Sequence, residues 1–537
     1  MKRREFIVGC MGSAAVAGCR GLDAFLRSGP ARACGPQQPN YFFSWGNQCY
    51  CKGQEKKGRD HLNEKLVFDP QKGWAATEFP NWRGDMFFLI DDAWDIPYHA
   101  DTSKGTHCYG SFVMDTGRFP SFTGTPGQRL RAYTQACRDC GWRGSGVWVS
   151  PQVPGEYEFD DPPREVAWET AVEDMRRKMG WLAEGEVGYL KVDWGYRQHS
   201  VAYREMMTEM KNRYCPDLVI EHAINQNPYN GVRWLREEDR TVLRYEPRLF
   251  GNAWYERELA AESEGLLKCS DAFRIYDICQ KLRSAVGIER TAWMLERAER
   301  IGATPYISVE DDVCLGASLG CTFGTGRSLY WTERYRNRGK RLNEVRRALA
   351  WQRFAPAFRP TRDLPTRHSE KTLIDTCEKK GTDLAKTDLF ADGVIRMMGP
   401  AVVSRGLPLP TVAPDASGEV PYVVAARYPN GALSVGAHPV AQAGKPPRTP
   451  ACAIALDAAL ERNAPLGVFG YVKSITLGLE GRRVFARDLV SDGAPHDITS
   501  ACSFDDGRVT LPGDVLNRIG REAENDCSDP GTLVWSV

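Results

Sequence analysis

The chain has almost no net charge: 70 Lys and Arg face 69 Asp and Glu over 537 residues, leaving +1. That argues against generic nucleic-acid binding, which draws its affinity from counterions released by a surplus of basic groups. Long hydrophobic runs are also missing. Beyond the N-terminal leader no stretch reaches the ~18 uninterrupted apolar residues that cross a bilayer. There is no internal repeat and no low-complexity block. No Gly-x-Gly-x-x-Gly turn follows the first apolar strand, so a doubly wound dinucleotide fold is only the runner-up architecture. Cysteine is not scarce, at 17, but Cys137-x-x-Cys140 lacks the second pair or the spaced histidines that a zinc site needs. Redox catalysis is equally unsupported.

What is present is a large core: 42% hydrophobic residues and 10% aromatics, with 15 Trp. Such a composition excludes disorder. Abundant aromatics beside many carboxylates suit carbohydrate ligands, whose rings offer apolar faces to indoles and hydroxyls to carboxylates. The first residues, Met1-Lys-Arg-Arg, carry the pair Arg3-Arg4 and run into an apolar stretch through Val8, Met11 and Ala14 to Val16. This is a signal-peptide layout, and the twin arginine points to export of an already folded protein. Val16-Ala17-Gly18-Cys19 resembles a lipobox, so Cys19 is the expected lipidation site and the only expected membrane contact. The expected location is the periplasm or cell surface, where disulfides are permitted but their pairing is not derivable.

After a leader and linker (1–35), residues 36–356 alternate short apolar runs with amphipathic helical patterns. The runs are Tyr41 to Trp45, Met86 to Ile90, Gly146 to Val149, Gly188 to Val192, Leu218 to Ile220, Leu266 to Cys269 and Tyr306 to Val309. This rhythm predicts an α/β protein with a (β/α)8 TIM barrel. A connecting segment (357–390) leads to 391–537, where strand-like runs broken by turns such as Pro429-Asn430-Gly431 predict a C-terminal antiparallel β-sandwich.

Barrel chemistry gathers where strands end, so polar residues that close apolar runs carry the functional argument. Phe87 to Ile90 runs into Asp91-Asp92-Ala93-Trp94. Neighbouring strand residues face opposite sides, so both carboxylates reach one ligand only where the strand bends into its loop. There Asp91 and Asp92 grip vicinal hydroxyls beside Trp94; the plain alternative is a turn or helix cap. In Tyr189-Leu190-Lys191-Val192-Asp193, residues two apart share a face, so Lys191 and Asp193 project together and favour each other's charged form. An ionised carboxylate there suits attack on a glycosyl centre, whereas a bare ion pair is the structural alternative. Glu221-His222 closes the next run: Glu221 lines the pocket, and His222 is either a second polar contact or a satisfied structural histidine. Around Arg274 lie Asp271 and Asp277, either of which suits an acid that gives up and recovers a proton. Glu310-Asp311-Asp312 follows Tyr306 to Val309, with a Ca²⁺ loop or a solvated turn as its alternatives.

In order along the chain, these motifs resemble the α-galactosidase (melibiase) clan, glycoside hydrolase families 27 and 36. Ile90-Asp91-Asp92-Ala93-Trp94 resembles the clan's Ile-Asp-Asp-Gly-Trp segment, Phe43-Ser44-Trp45-Gly46-Asn47 its first-strand Trp-Asn segment, and Gly117-Arg118-Phe119-Pro120 its Arg-Phe-Pro turn. Tyr189 to Asp193 matches the Tyr-x-Lys-x-Asp nucleophile strand, and Phe273-Arg274-Ile275-Tyr276-Asp277 is similar to the Trp-Arg-x-Ser-x-Asp acid/base segment. Asp311-Asp312-Val313 sits where the clan has Asp-Pro-Asp-Met.

The resemblance implies a retaining exo-glycosidase with Asp193 as nucleophile and Asp277 as acid/base, without metal or organic cofactor. By the same resemblance Asp91, Asp92, Lys191 and Arg274 hold the sugar hydroxyls with Trp45 as the apolar wall; the strand-end reading adds Trp94, Trp148, Glu221, His222 and Asp312 to the expected site for an oligosaccharide or glycoconjugate. Family 27 has one more residue between arginine and acid than Arg274 to Asp277 allows, which keeps Asp271 as an alternative acid. Glu221-His222-Ala223 fits neither sugar-reading pattern of the clan, Cys-Glu-Trp-Gly or Ser-Gly-Gly. An α-N-acetylgalactosaminidase, a β-L-arabinopyranosidase and a catalytically silent glycan-binding lipoprotein therefore stand beside an α-galactosidase.

Overall fold

A computed structural model describes residues 29–33, 38–50, 62–98, 108–156, 164–223, 233–237, 240–244, 253–275, 283–326, 338–379, 393–523 and 528–537. The leader with Cys19, and Asp277, lie outside the described residues. No described helix is long and apolar enough to cross a membrane.

Eight strands make one parallel sheet: β1 Asn40–Phe43, β2 Met86–Ile90, β3 Gly144–Val149, β4 Tyr189–Val192, β5 Val219–Ala223, β6 Ala272–Ile275, β7 Tyr306–Val309 and β8 Gly324–Thr325. Neighbours follow chain order from β1 to β7, and β8 returns to pair with β1, Tyr41 facing Gly324. The last seam, between β7 and β8, is closed by Val309 N–H donating to the Thr322 carbonyl and Thr322 N–H donating to that of Ile307. This is the TIM barrel that the alternating pattern predicts.

The two-residue period of the strands divides their side chains. Phe88, Ile90, Val147, Leu190 and Ile220 point outward and join the core beneath the helices. Tyr41, Phe43, Phe87, Leu89, Trp148 and Tyr189 point inward and pack as a separate aromatic plug. The plug needs room: a Cβ on Gly188 would lie 2.3 Å from the Phe87 ring. Local signals set the helix ends. Helix Pro126–Asp139 starts with a capping box between Thr125 and Gln128 and a proline in its first turn. Cys137 and Cys140, in and just after its last turn, carry free thiols.

One strand expectation is overturned. Leu266 to Cys269 is the last turn of helix Ala253–Cys269, and the strand begins three residues later, at Ala272. A four-residue apolar run reads alike as a buried strand or the buried face of a helix. Here Leu266 and Leu267 belong to the helix and pack with Phe273, Ile288 and Leu295.

Among the described residues the C-terminal region has two large β-sheets, of eight and five strands, and a two-stranded hairpin, Thr372–Lys379 with Gly393–Pro400. Residues from both sheets, among them Val423, Val435, Val468, Ile454, Ile475 and Leu511, share one core. Antiparallel pairs dominate, but Val402–Arg405 with Tyr422–Arg427, Leu433–His438 with Leu466–Phe469, and Cys452–Leu460 with Val472–Leu479 run parallel. Strands Thr366–His368 and Thr372–Lys379 fall within the stretch expected to be a connector. Helix Arg338–Gln352 joins the two regions: its Trp351 donates to the Tyr428 hydroxyl at 2.9 Å.

Candidate active site

The inward-facing polar residues at the C-terminal ends of β2, β4, β5, β6 and β7 converge on one buried cluster. β4 contributes Lys191, whose Nζ lies 2.9 Å from Asp91 Oδ2 and 3.1 Å from Glu310 Oε2. The ammonium also sits 4.0 Å from the centroid of the Phe43 ring. β6 contributes Arg274, which reaches Asp193 at 3.1 Å, Glu310 at 3.1 Å and Glu221 at 3.4 Å. The Tyr41 hydroxyl lies 3.1 Å from both Glu221 and Glu310 and shares its one proton between them, and Tyr189 donates to Glu221 at 2.5 Å. Burial pushes Lys191 down, but Asp91 and Glu310 outweigh it and leave its pKa above the ordinary value. Arg274 is likewise raised, burial being outweighed by Asp193, Glu310 and Glu221.

Asp193 is the carboxylate of this cluster that reaches solvent: its side chain is 17% exposed, while those of Glu221 and Glu310 are fully covered. Its two oxygens have separate holders, Arg274 on Oδ1 and the Trp148 indole N–H on Oδ2 at 2.8 Å. Both donors favour the ionised carboxylate. Asp91 is fixed on three sides: Lys191 donates to its Oδ2, the Asp92 N–H donates to its Oδ1, and its own backbone N–H donates to Ser44 Oγ at 2.9 Å. The backbone bends sharply behind two of these ends: Ala93 has φ 84° and Asp311 has φ 66°. Such left-handed backbone in residues other than glycine is uncommon and gathers at functional sites.

The structure therefore brings together Asp91, Trp148, Lys191, Asp193, Glu221 and Arg274, with Trp45 packed against the same aromatic plug and Asp92 buried alongside. Four expected residues are placed elsewhere. His222 points outward by strand alternation, with Thr208 at 3.0 Å and Arg204 at 3.4 Å. Burial and Arg204 hold its imidazole well below the usual range, hence neutral. Trp94 is fully buried and spends its N–H on the Trp148 carbonyl at 2.6 Å, so it offers no stacking face. Asp312 is the N-cap residue of Val313–Ser318 and lies beside Gly287 of the neighbouring helix. Asp271, which precedes β6, sits at the opposite end of the barrel, paired with Lys211 at 2.7 Å and accepting from Ile220 N–H at 3.0 Å. Its carboxylate is thus far from the mouth in the fold, a direct result of β6 starting after it.

Tyr41 and Tyr189 are site residues that the sequence reading does not name as such, and of the group Glu310-Asp311-Asp312 it is Glu310, not the expected Asp312, that enters the cluster. The signal for them was the alternation itself: Glu310 follows Ser308 by two, and Tyr189 precedes Lys191 by two. Among the described residues no group of three or more His, Cys, Asp or Glu is arranged to hold a metal ion. Lys191 and Arg274 fill the spaces between these carboxylates.

The chain matches no known protein-family profile and no curated protein. The solved structures it resembles include α-galactosidases. α-Galactosidase I from Mortierella vinacea is 11% identical, with 94% of this chain and 96% of that one covered and a TM-score of 0.38. The Saccharomyces cerevisiae α-galactosidase, solved with raffinose, is 10% identical over 95% and 93%, also at 0.38. A Bacillus halodurans protein described as an α-N-acetylgalactosaminidase is 12% identical over 70% and 98%, at 0.35. At such scores the fold stands on the strand order itself, and the chemistry on the side chains.

Proposed function

We propose that this protein is an exported retaining exo-glycoside hydrolase that removes terminal α-linked galactose, or a closely related sugar, from glycans. The observation that carries the reading is Asp193: a carboxylate at the end of β4, open to solvent on one edge and held by Arg274 and Trp148 on the other. Export is read from the twin-arginine leader, and a lipid anchor on Cys19 from the lipobox-like Val16-Ala17-Gly18-Cys19.

In the proposed double displacement, an Asp193 oxygen attacks the anomeric carbon while the bond to the leaving oxygen breaks. That oxygen takes a proton from the acid, which the clan resemblance assigns to Asp277. Water then attacks the same carbon, gives its proton to the carboxylate of Asp277, and the glycosyl ester breaks to regenerate Asp193. Arg274 and Trp148 orient the nucleophile, and Lys191 and Asp91, tied to each other at 2.9 Å, are positioned to meet sugar hydroxyls. The positive charge that develops on the ring meets a site with more carboxylates than cations, the sign that stabilises an oxocarbenium-like transition state.

The test is release of nitrophenol from a panel of aryl α- and β-glycosides by wild type, Asp193→Asn and Asp277→Asn. The expected result is turnover of an α-galactoside or a close relative, cut ~10³-fold or more in Asp193→Asn, about 4 kcal/mol of barrier. Sugar binding without turnover of any substrate would instead make the protein a glycan-binding lipoprotein.

A further inference from the structure

Among the described side chains that pair at the barrel mouth, two cations, Lys191 and Arg274, meet four carboxylates, Asp91, Asp193, Glu221 and Glu310, while Arg204 reaches of this group only the Asp193 backbone carbonyl, at 2.9 Å. Lys191 lies within 3.1 Å of Asp91 and Glu310, so Arg274 is left to serve Asp193, Glu310 and Glu221. A desolvated carboxylate without a full counter-charge takes up a proton rather than staying ionised. Glu221 has the longest of the three contacts to the guanidinium, at 3.4 Å, and its other hydrogen-bond partners are the neutral phenols Tyr189, at 2.5 Å, and Tyr41, at 3.1 Å.

We propose that Glu221 is a positioning residue that keeps a proton in the working enzyme and so leaves Arg274 to Asp193; when it loses that proton it competes with Asp193 for the guanidinium. The proposal rests on Asp193 being the nucleophile. The titratable and charged groups that face Glu221 are Tyr41 from β1, Tyr189 and Lys191 from β4, Arg274 from β6, and Glu310 after β7, and Arg274 links it to Asp193. In agreement with the geometry, burial pushes the Glu221 carboxyl up to about 7, against the opposing pulls of Arg274, Tyr189 and Lys191. This role differs from reading a sugar hydroxyl: Glu221 acts through Arg274 and does not touch the substrate.

The test does not depend on activity. Carbon-13 NMR of glutamate-labelled protein, with Glu221 assigned by Glu221→Gln, should show its carboxyl titrating near pH 7. In Asp193→Asn the midpoint should fall, because Arg274 is released from the aspartate and left to Glu221 and Glu310. A midpoint in the ordinary glutamate range, about 4.3, or the same midpoint in both proteins would overturn the proposal. Tyr189→Phe gives a second handle if Asp193→Asn does not fold: loss of a donor to the carboxylate should move the midpoint upward, and no movement counts against the proposal. For kinetics, kcat/KM of an aryl glycoside with a strongly activated leaving group reports attack by Asp193 alone: the leaving oxygen needs no proton, and the later water step, in which Asp277 is the base, does not enter kcat/KM. Wild-type kcat/KM should fall roughly tenfold from pH ~6 to pH ~8, as a single titration near 7 requires, and Glu221→Gln should remove that fall. An identical fall in the variant would contradict the proposal. If wild type turns over no glycoside at all, the glycosidase reading fails by itself, and the NMR titration still decides whether Glu221 and Asp193 are coupled.

Discussion

Where helix Arg338–Gln352 meets the β region, Arg347 is paired with Asp488 at 2.9 Å, and neither side chain is more than 1% exposed. Ser528 and the Asp529 carbonyl accept from the same guanidinium, so one cation and one carboxylate close on each other. At the barrel mouth the arrangement is opposite: carboxylates outnumber cations, one guanidinium is divided among three of them, and Asp193 keeps an edge in solvent. A buried pair that is complete serves to join two regions. A buried cluster that is incomplete keeps a charge available for something that binds.

This contrast predicts different responses. The largest effect is expected at the joint, where Arg347→Ala strands the Asp488 carboxylate and should cost about 3–5 kcal/mol in urea unfolding. The chemistry of whatever remains folded should be unaffected, so a loss confined to kcat would break the comparison. At the mouth the expected signature is pH dependence. Burial raises Glu221 to about 7, and burial followed by the neighbouring Asp92 raises Asp95 to about 7. Asp375, which accepts from Ala285 and Ala441 N–H, is raised to about 7 by burial in the hairpin Thr372–Lys379 with Gly393–Pro400. These groups bind protons more tightly folded than unfolded. The stability they contribute is therefore full below the unfolded carboxyl range, ~4, and is lost as pH rises through about 7. Unfolding midpoints should fall across that window, and the fall should be shallower in Asp95→Asn. The smallest effect belongs to Asp271→Asn. Its ion pair with Lys211 is 29% exposed on the carboxylate side, so stability should drop by at most ~1 kcal/mol and turnover by less than twofold.

Much of the barrel was legible because its strands are short apolar runs whose polar ends alternate in and out. Lys191 and Asp193 were assigned to one face by that period, and the structure has both facing the same cluster. The period was not carried through elsewhere. Applied to β5 it separates Glu221 from His222, and carried past β7 it separates Glu310 from Asp311; Asp312 would share the face of Glu310 but falls at the N-cap of Val313–Ser318. Asp271 was misjudged for another reason: the apolar run before it is helical, and a run of four residues carries no period to say so. Trp94 was misjudged because an indole beside two carboxylates reads as a stacking wall until its N–H is seen bonded to a backbone carbonyl. The β region was legible as strands and turns, but its three parallel pairings were not, since pairing partners distant in sequence leave no local trace.

The central claim is that Asp193 forms the covalent bond to the sugar. Its most direct test is trapping: incubation with a 2-fluoro glycosyl fluoride of the preferred sugar, then proteolysis and mass spectrometry. The account predicts one glycosyl adduct, on the peptide that carries Asp193, absent from Asp193→Asn. An adduct on another carboxylate, or steady turnover of the reagent with none at Asp193, would contradict it.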